Sequence, residues 1–345
     1  MIGEMRRLLV TRHGRPEDMV VADAPSPIPA AGQVAIGVHA AGVNFPDLLT
    51  IAGTYQNLPP LPFSPGKEVA GEILAVGAGV EGLSVGDRVM VQLENGGFAE
   101  EVVADARVCW RIPPDLTMVK AAALGLAYVT AWFGLVDRGA LRPGDTVLVT
   151  GASGGCGTAA LQITRALGGR AIGFVGSEAK ADFVRSLGFS DVIVGEGDDL
   201  RDRLRAEVHA LTDGRGVDIV FDPVGGGVLD AALRALAWAG RAVICGFAGG
   251  GPTTIRSNYL LIKHISVHGL HVSDYRDFQP ERFADAIRRI LDLTRDGRLD
   301  PPVSAIHDFD DHAAALAHLS ERRALGKVVL VTDRGRATQG AAVRR

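Results

Sequence analysis

Cysteine is scarce: the 345 residues hold three, Cys109, Cys156 and Cys245, and no Cys-x-x-Cys pair. That argues against a disulfide framework and a zinc knuckle, and suits a reducing compartment. Net charge is lacking too, since 36 Lys and Arg face 40 Asp and Glu for a formal balance of −4. No electrostatic case arises for nucleic acid or an anionic membrane, and no basic–aromatic stripe suggests single-strand binding. No apolar run approaches the roughly 18 unbroken positions of a membrane span. The opening "MIGEMRRLLVTRHG" carries arginines but no apolar h-region and no small-residue cleavage site. No signal peptide is expected, and the expected location is cytoplasmic.

One further absence bears on chemistry. "NFPDLLTIAGTYQNLPPLPFSPGKEVAGEI", from Asn44 to Ile73, has the prolines and glycines of a shaped cleft wall, yet no Cys and no His. A soft metal has nothing to bind there. Any charge that develops on a substrate beside this segment must be met by hydrogen bonds. Tyr55 is its best neutral donor. Asn44 offers an amide to the acceptor carbonyl or the cofactor ribose. Asp47 is read as catalytic or as a loop-holding carboxylate.

What is present suffices for about two domains. The first 120 or so residues read as strands and turns, with "QVAIGVHAAGV", "VAGEILAVG" and "VGDRVMVQL" as their apolar cores. Asp87 belongs to the turn before the last of these. The Ala-rich stretch "TMVKAAALGLAYVTAWFGLVDRGAL" follows as a helix. From "DTVLVTGASGGCGTAALQITRALG" onward, apolar runs of four to six residues alternate with amphipathic helices. That pattern predicts an α/β domain with a doubly wound parallel sheet. "ERFADAIRRILDLTRDG" places Phe283, Ile287, Ile290 and Leu291 on one helical face. The tail "RGRATQGAAVRR" has no apolar pattern and is expected to lack structure.

The strand "TVLVT" enters a glycine turn and a helix leaves it. Gly154, Gly155, Cys156 and Gly157 supply the last part of a GxGxxG-type turn, with Ala152 at its first position. Gly154 lets the backbone approach a pyrophosphate, and Gly157 lets the helix pack on the strand. The second strand, "AIGFVGS", ends in Gly176 and Ser177, without the acidic residue that holds an NAD ribose diol. Ser177 and Lys180 instead suit a 2′-phosphate, so the expected cofactor is NADPH. Glu178 caps the next helix or faces solvent.

Six stretches, "AAGVNFPDLLTIAGTYQ", "PFSPGKEVAGEI", "GASGGCG", "VDIVFDPVGG", "NYLLIKHISVHG" and "GKVVL", make the chain resemble a family. It is similar to the zinc-free NADPH:quinone oxidoreductase (zeta-crystallin-like) branch of the medium-chain dehydrogenase/reductase superfamily. The resemblance implies a Rossmann NADPH-binding domain, 126–267, inserted into a GroES-like β-rich catalytic domain, 1–125 and 268–345. It implies an active site in the cleft between them, metal-free hydride transfer to a quinone, and a homodimer. It also supports Asn44 and Tyr55 as cleft residues, with Thr130 and Phe247 beside the cofactor.

Zinc enzymes of the superfamily resemble this chain but carry Cys near 44 and a His-Glu pair near 67–68, where this sequence has Asn44, Lys67 and Glu68. Some relatives place a second Tyr where Leu49 stands, so a looser or more apolar pocket is open. Lys327 lies either near the cofactor or against a carboxylate. An activated C=C acceptor, as in enoyl-thioester or haloacrylate reductases, is the alternative substrate class. An NADPH-binding structural or RNA-binding crystallin-like protein is the alternative of another kind.

Overall fold

Short apolar strands alternating with helices have one stable arrangement, a parallel sheet buried between helical layers. The computed structural model describes residues 3–197 and 199–342, and its chain divides into two compact units. Of the described residues, one takes those up to Leu126, then Arg276–Ile287, then those from Pro301 on; the other holds those of Ala127–Tyr275 and Arg288–Asp300.

The second unit is the Rossmann domain. Its six strands lie in the spatial order Val192–Val194, Arg170–Val175, Thr146–Thr150, Val217–Asp222, Leu236–Ile244, Ser266–Gly269. All five pairings are parallel. The winding direction reverses between Thr146–Thr150 and Val217–Asp222, which is where open α/β sheets bind ligands. The expected boundary at 267/268 falls inside the sixth strand, and the structure places it after Tyr275. Pairing with Leu236–Ile244 holds that strand in the second unit. "HISVHGLHV" is not one strand: it stops at Gly269, and helix Val272–Phe278 follows.

The first unit is built on a mixed sheet. Val303–Asp308, Lys327–Val331, Gln33–Val43, Glu68–Val76, Arg88–Gln92 and Cys109–Arg111 lie side by side, and Glu101–Asp105 also pairs with Gln33–Val43. Strand Gln33–Val43 is buried along nearly its whole length. It therefore reads as a continuous apolar run rather than an alternation. Asp87 holds the turn before Arg88–Gln92, accepting from the Ser84 N–H at 2.8 Å and from Arg111.

Two helices deserve comparison with their sequences. Met118–Arg138 is long and apolar enough to cross a membrane by those measures alone, but 83 % of that window is buried in the fold. It is a core helix, closing in a π-helical turn, Phe133–Arg138. In Pro280–Arg295, Phe283, Ile287 and Ile290 are buried as the 3.6-residue period requires, each contributing about 2 kcal/mol.

The tail departs from expectation. Asp333–Ala342 is helical, and residues 343–345 lie outside the described part. The cause is polar and steric rather than apolar. Arg334 pairs with Glu101 at 2.9 Å and Arg336 with Asp308 at 2.9 Å. Gly335 lies so close to strand Gln33–Val43 that a Cβ there would sit 2.0 Å from the His39 carbonyl oxygen.

Candidate active site

Strand Gln33–Val43 runs between Lys327–Val331 and Glu68–Val76, with Val43 opposite Val328 and Ala41 opposite Val69. This register brings together the residues at the strand ends: Asn44, Glu68 and Lys327. Glu68 Oε1 accepts from Lys327 Nζ at 2.7 Å and from Asn44 Nδ2 at 2.8 Å; its Oε2 accepts from the Leu126 N–H at 2.7 Å. Lys327 also donates to Asn44 Oδ1 at 2.6 Å and to the Val43 carbonyl at 3.1 Å. Gly42 and Gly125 leave room for the carboxylate, since a Cβ at either would stand 2.4 or 2.6 Å from one of its oxygens. Lys327 thus pairs with a carboxylate, as one of its two sequence readings had it.

The same contacts limit Asn44. Its amide donates to Glu68 and, at 3.1 Å, to the Gly42 carbonyl, so both side-chain protons are taken. Flipping the amide would set NH2 against an ammonium and oxygen against a carboxylate, so the orientation is fixed. Donation from Asn44 to an acceptor carbonyl is corrected by this geometry. What remains is a lone pair on Oδ1, suited to a hydroxyl.

Asp47 lies one helical turn along Phe45–Ile51 and is fully buried. Its Oδ2 accepts from the Asn44 N–H at 2.8 Å, while Oδ1 has no partner. Burial pushes its pKa up from 3.8 to about 6, against the pull of Lys67, the Asn44 N–H and Lys327.

A second charged group adjoins Tyr55. Lys67, 2 % exposed, donates to Glu94 Oε1 and to the Glu94 carbonyl, both at 2.9 Å. Arg276 reaches Glu94 Oε2 at 3.2 Å. The Lys67 ammonium lies 4.6 Å from the centroid of the half-buried Tyr55 ring. Glu94 and Arg276 carry no sequence motif. The only advance signal was a lysine in a segment otherwise apolar enough to be buried.

In the second unit, helix Gly155–Ala166 starts at Gly154, whose backbone is extended and which has no side-chain cap. A Cβ on Gly154 would meet only the Gly151 carbonyl oxygen, at 3.5 Å, so the turn is open. At Gly157 a Cβ would lie 2.2 Å from that oxygen and 2.7 Å from Ala152 Cα, which forces glycine where helix and strand meet. Gly155 and Cys156 complete the first turn, and its amides suit a phosphate. The switch point is pinned by Asp222, which accepts from Thr150 Oγ1 at 2.5 Å and from the Gly225 N–H at 2.8 Å. Burial raises the Asp222 pKa although these donors oppose it.

Ser177 is the exposed N-cap residue of helix Glu178–Ser186, and Glu178 turns away to Arg185 at 3.2 Å. Lys180 is half-buried. The reading that no carboxylate stands beside this strand end holds along the chain but not in space. Glu196, from the loop after the third strand, places its side chain against Gly176. Phe247 is 46 % exposed in the loop after the fifth strand, next to Gly225. Thr130 is buried in its helix. Tyr128 is a packing residue: its hydroxyl donates to Gln162 Oε1 at 3.0 Å, and burial raises its pKa well above 10.

Residues 30–114 match the alcohol dehydrogenase GroES-like domain and residues 155–292 the zinc-binding dehydrogenase family. The chain is 36 % identical over 302 residues to the quinone oxidoreductase-like protein 2 homolog of Nematostella vectensis, a match covering 87 % of this chain and 82 % of that one. The chain belongs to the quinone oxidoreductase-like branch of the medium-chain dehydrogenase/reductase superfamily. Members of this superfamily are oxidoreductases, and so is this chain. Two solved structures are similar to this quinone oxidoreductase-like chain over 95 % of its length and 99 % of theirs. Mycobacterial Rv1454c complexed with NADPH matches at a TM-score of 0.87 and 31 % identity. CurK enoyl reductase matches at 0.86 and 25 %.

The zinc in one family's description has no fitting donors in this branch member. At the corresponding place stand an amide, two ammonium groups and a carboxylate already bonded to one of them. Protonated lysine has no lone pair to give a metal. Among the described residues no cluster of His, Cys, Asp and Glu has the makings of a metal site.

Proposed function

We propose that this oxidoreductase reduces quinones with NADPH and uses no metal. The observation that carries the reading is the Lys327–Glu68–Asn44 cluster, which fills with fixed hydrogen bonds the place where zinc relatives put their ligands. The Gly154 turn supports the cofactor half. It lies at the sheet's reversal, its helix N-terminus is uncapped by side chains, and a related structure holds NADPH.

When bound, the dihydronicotinamide supplies a hydride. Gly154, Gly155, Cys156 and Gly157 hold the pyrophosphate through backbone N–H groups. Ser177 and Lys180 meet the 2′-phosphate, and Thr130 and Phe247 border the nicotinamide. Asn44 accepts a hydrogen bond from the ribose through its remaining lone pair. Tyr55 donates its phenol proton to the oxygen on which negative charge develops, and the Lys67 cation over the ring stabilises the phenolate left behind. Asp47 and Lys327 keep Asn44 in place.

Reduction of an activated C=C bond is the second reading. The likeness to CurK enoyl reductase supports it, as does Leu49, an apolar residue where a second tyrosine would grip a quinone. A homodimer is also proposed. Ser266–Gly269 ends its sheet, and Trp238, Leu261 and Ile262 are each at least 72 % exposed in the same unit.

The test is NADPH consumption with benzoquinone, phenanthrenequinone, crotonyl-CoA and chloroacrylate. Faster turnover of the quinones supports the proposal, and faster turnover of either alkene supports the second reading. Tight NADPH binding with no turnover of any acceptor would instead mark a binding protein of the crystallin kind.

A further inference from the structure

The ribose of a dinucleotide lies beyond the end of the second strand, where an acidic side chain selects a 2′,3′-diol and disfavours a 2′-phosphate. Here that strand is Arg170–Val175, and the next residue, Gly176, has no side chain. The third strand continues alongside. Val194 is paired with Val175, and the Gly195 N–H donates to the Val175 carbonyl at 3.0 Å. This register carries Glu196 over Gly176. A Cβ built on Gly176 would lie 3.0 Å from Glu196 Oε1 and 3.9 Å from its carboxyl carbon. The carboxylate therefore occupies the space that an aspartate at 176 would fill, delivered from the neighbouring strand. Glycine at 176 leaves that space open, since a Cβ there would press on the Glu196 carboxylate.

Among the described residues the Glu196 carboxylate has no hydrogen bond or ion pair. Arg203 approaches the same turn but donates to the Glu196 main-chain carbonyl, at 3.3 Å, and lies 3.8 Å from both Asp199 and Glu207. Lys180, in the first turn of the helix that follows Gly176, likewise makes no ion pair among the described residues. The strand end thus presents a carboxylate that is unpaired among the described residues and can accept from a diol, and the helix that follows carries an ammonium suited to a phosphate.

We infer that Glu196 is a cofactor-selecting residue that lets this chain take NADH alongside NADPH. Its carboxylate accepts hydrogen bonds from the two ribose hydroxyls of NADH and repels the 2′-phosphate that Lys180 attracts. The inference rests on the proposed use of the Gly154 turn for a nicotinamide dinucleotide.

The test is a binding titration of the full chain with each reduced nucleotide, read by the fluorescence of the bound nicotinamide and needing no acceptor. Wild type is expected to bind both. Glu196→Gln keeps the size and removes the charge, and is expected to raise the preference for NADPH over NADH about tenfold or more. Lys180→Ala is expected to move the preference the other way. An unchanged preference in Glu196→Gln, or no NADH binding by wild type, overturns the inference while leaving the cofactor reading intact. Wild type that binds neither nucleotide overturns the cofactor reading itself.

Discussion

The ammonium of Lys67 lies over the face of the Tyr55 ring, 4.6 Å from its centroid, while the same nitrogen is anchored to Glu94. A desolvated cation against an aromatic face is worth roughly 2 kcal/mol, and it also favours negative charge on the phenol. Tyr55→Phe is expected to lower turnover roughly tenfold or more with NADPH affinity unchanged. Lys67→Met should lower turnover in the same way, and Lys67→Arg should restore part of it. Steady-state rates with parallel NADPH titrations check this. A Tyr55→Phe enzyme of normal rate would remove the phenol from the chemistry.

Lys327 and Glu68 make a buried pair whose members lean on one another. Removing one charge strands the other in a low-dielectric interior, at about 3–5 kcal/mol. Lys327→Met is therefore expected to lower the urea midpoint strongly, and the double variant Lys327→Met with Glu68→Gln to recover much of the loss. If the double variant is as unstable as the sum of the single ones, the pair is not coupled as described.

Asp47 gives a pH signature. Its folded-state pKa, about 6, stands above the ordinary 3.8, so folding favours the protonated form. The associated stability is present in full below pH 3.8, declines as pH rises, and has gone once pH passes about 6. The total is about 3 kcal/mol. Asp47→Asn carries no such proton. Its stability relative to wild type should improve by about that amount between pH 4 and pH 6.5. Denaturation at a series of pH values measures it, and a constant difference would contradict the assignment.

Much of this was legible in the residues, for reasons that also mark where reading stops. Strands such as Thr146–Thr150 announce themselves because burial on both faces demands unbroken apolar runs, and the Gly154 turn because only glycine fits at 157. Asn44, Asp47 and Tyr55 were conspicuous as polar groups in a shaped segment. Their partners were not. Glu94 finds Lys67 across 27 positions, and Lys327 finds Glu68 across 259. Sheet register alone decides those meetings. Register also explains Glu196, which follows the wrong strand for a ribose acid and reaches the right place through its neighbour. The terminal helix was missed because arginine pairs and one close-packed glycine, rather than an apolar face, hold it.

The most direct measurement is NADPH oxidation by metal-depleted protein with phenanthrenequinone as acceptor, repeated after zinc is returned. A cleft that works by fixed hydrogen bonds should keep full turnover after exhaustive chelation and gain nothing from added zinc. Inactive metal-free protein that recovers with stoichiometric zinc would contradict it.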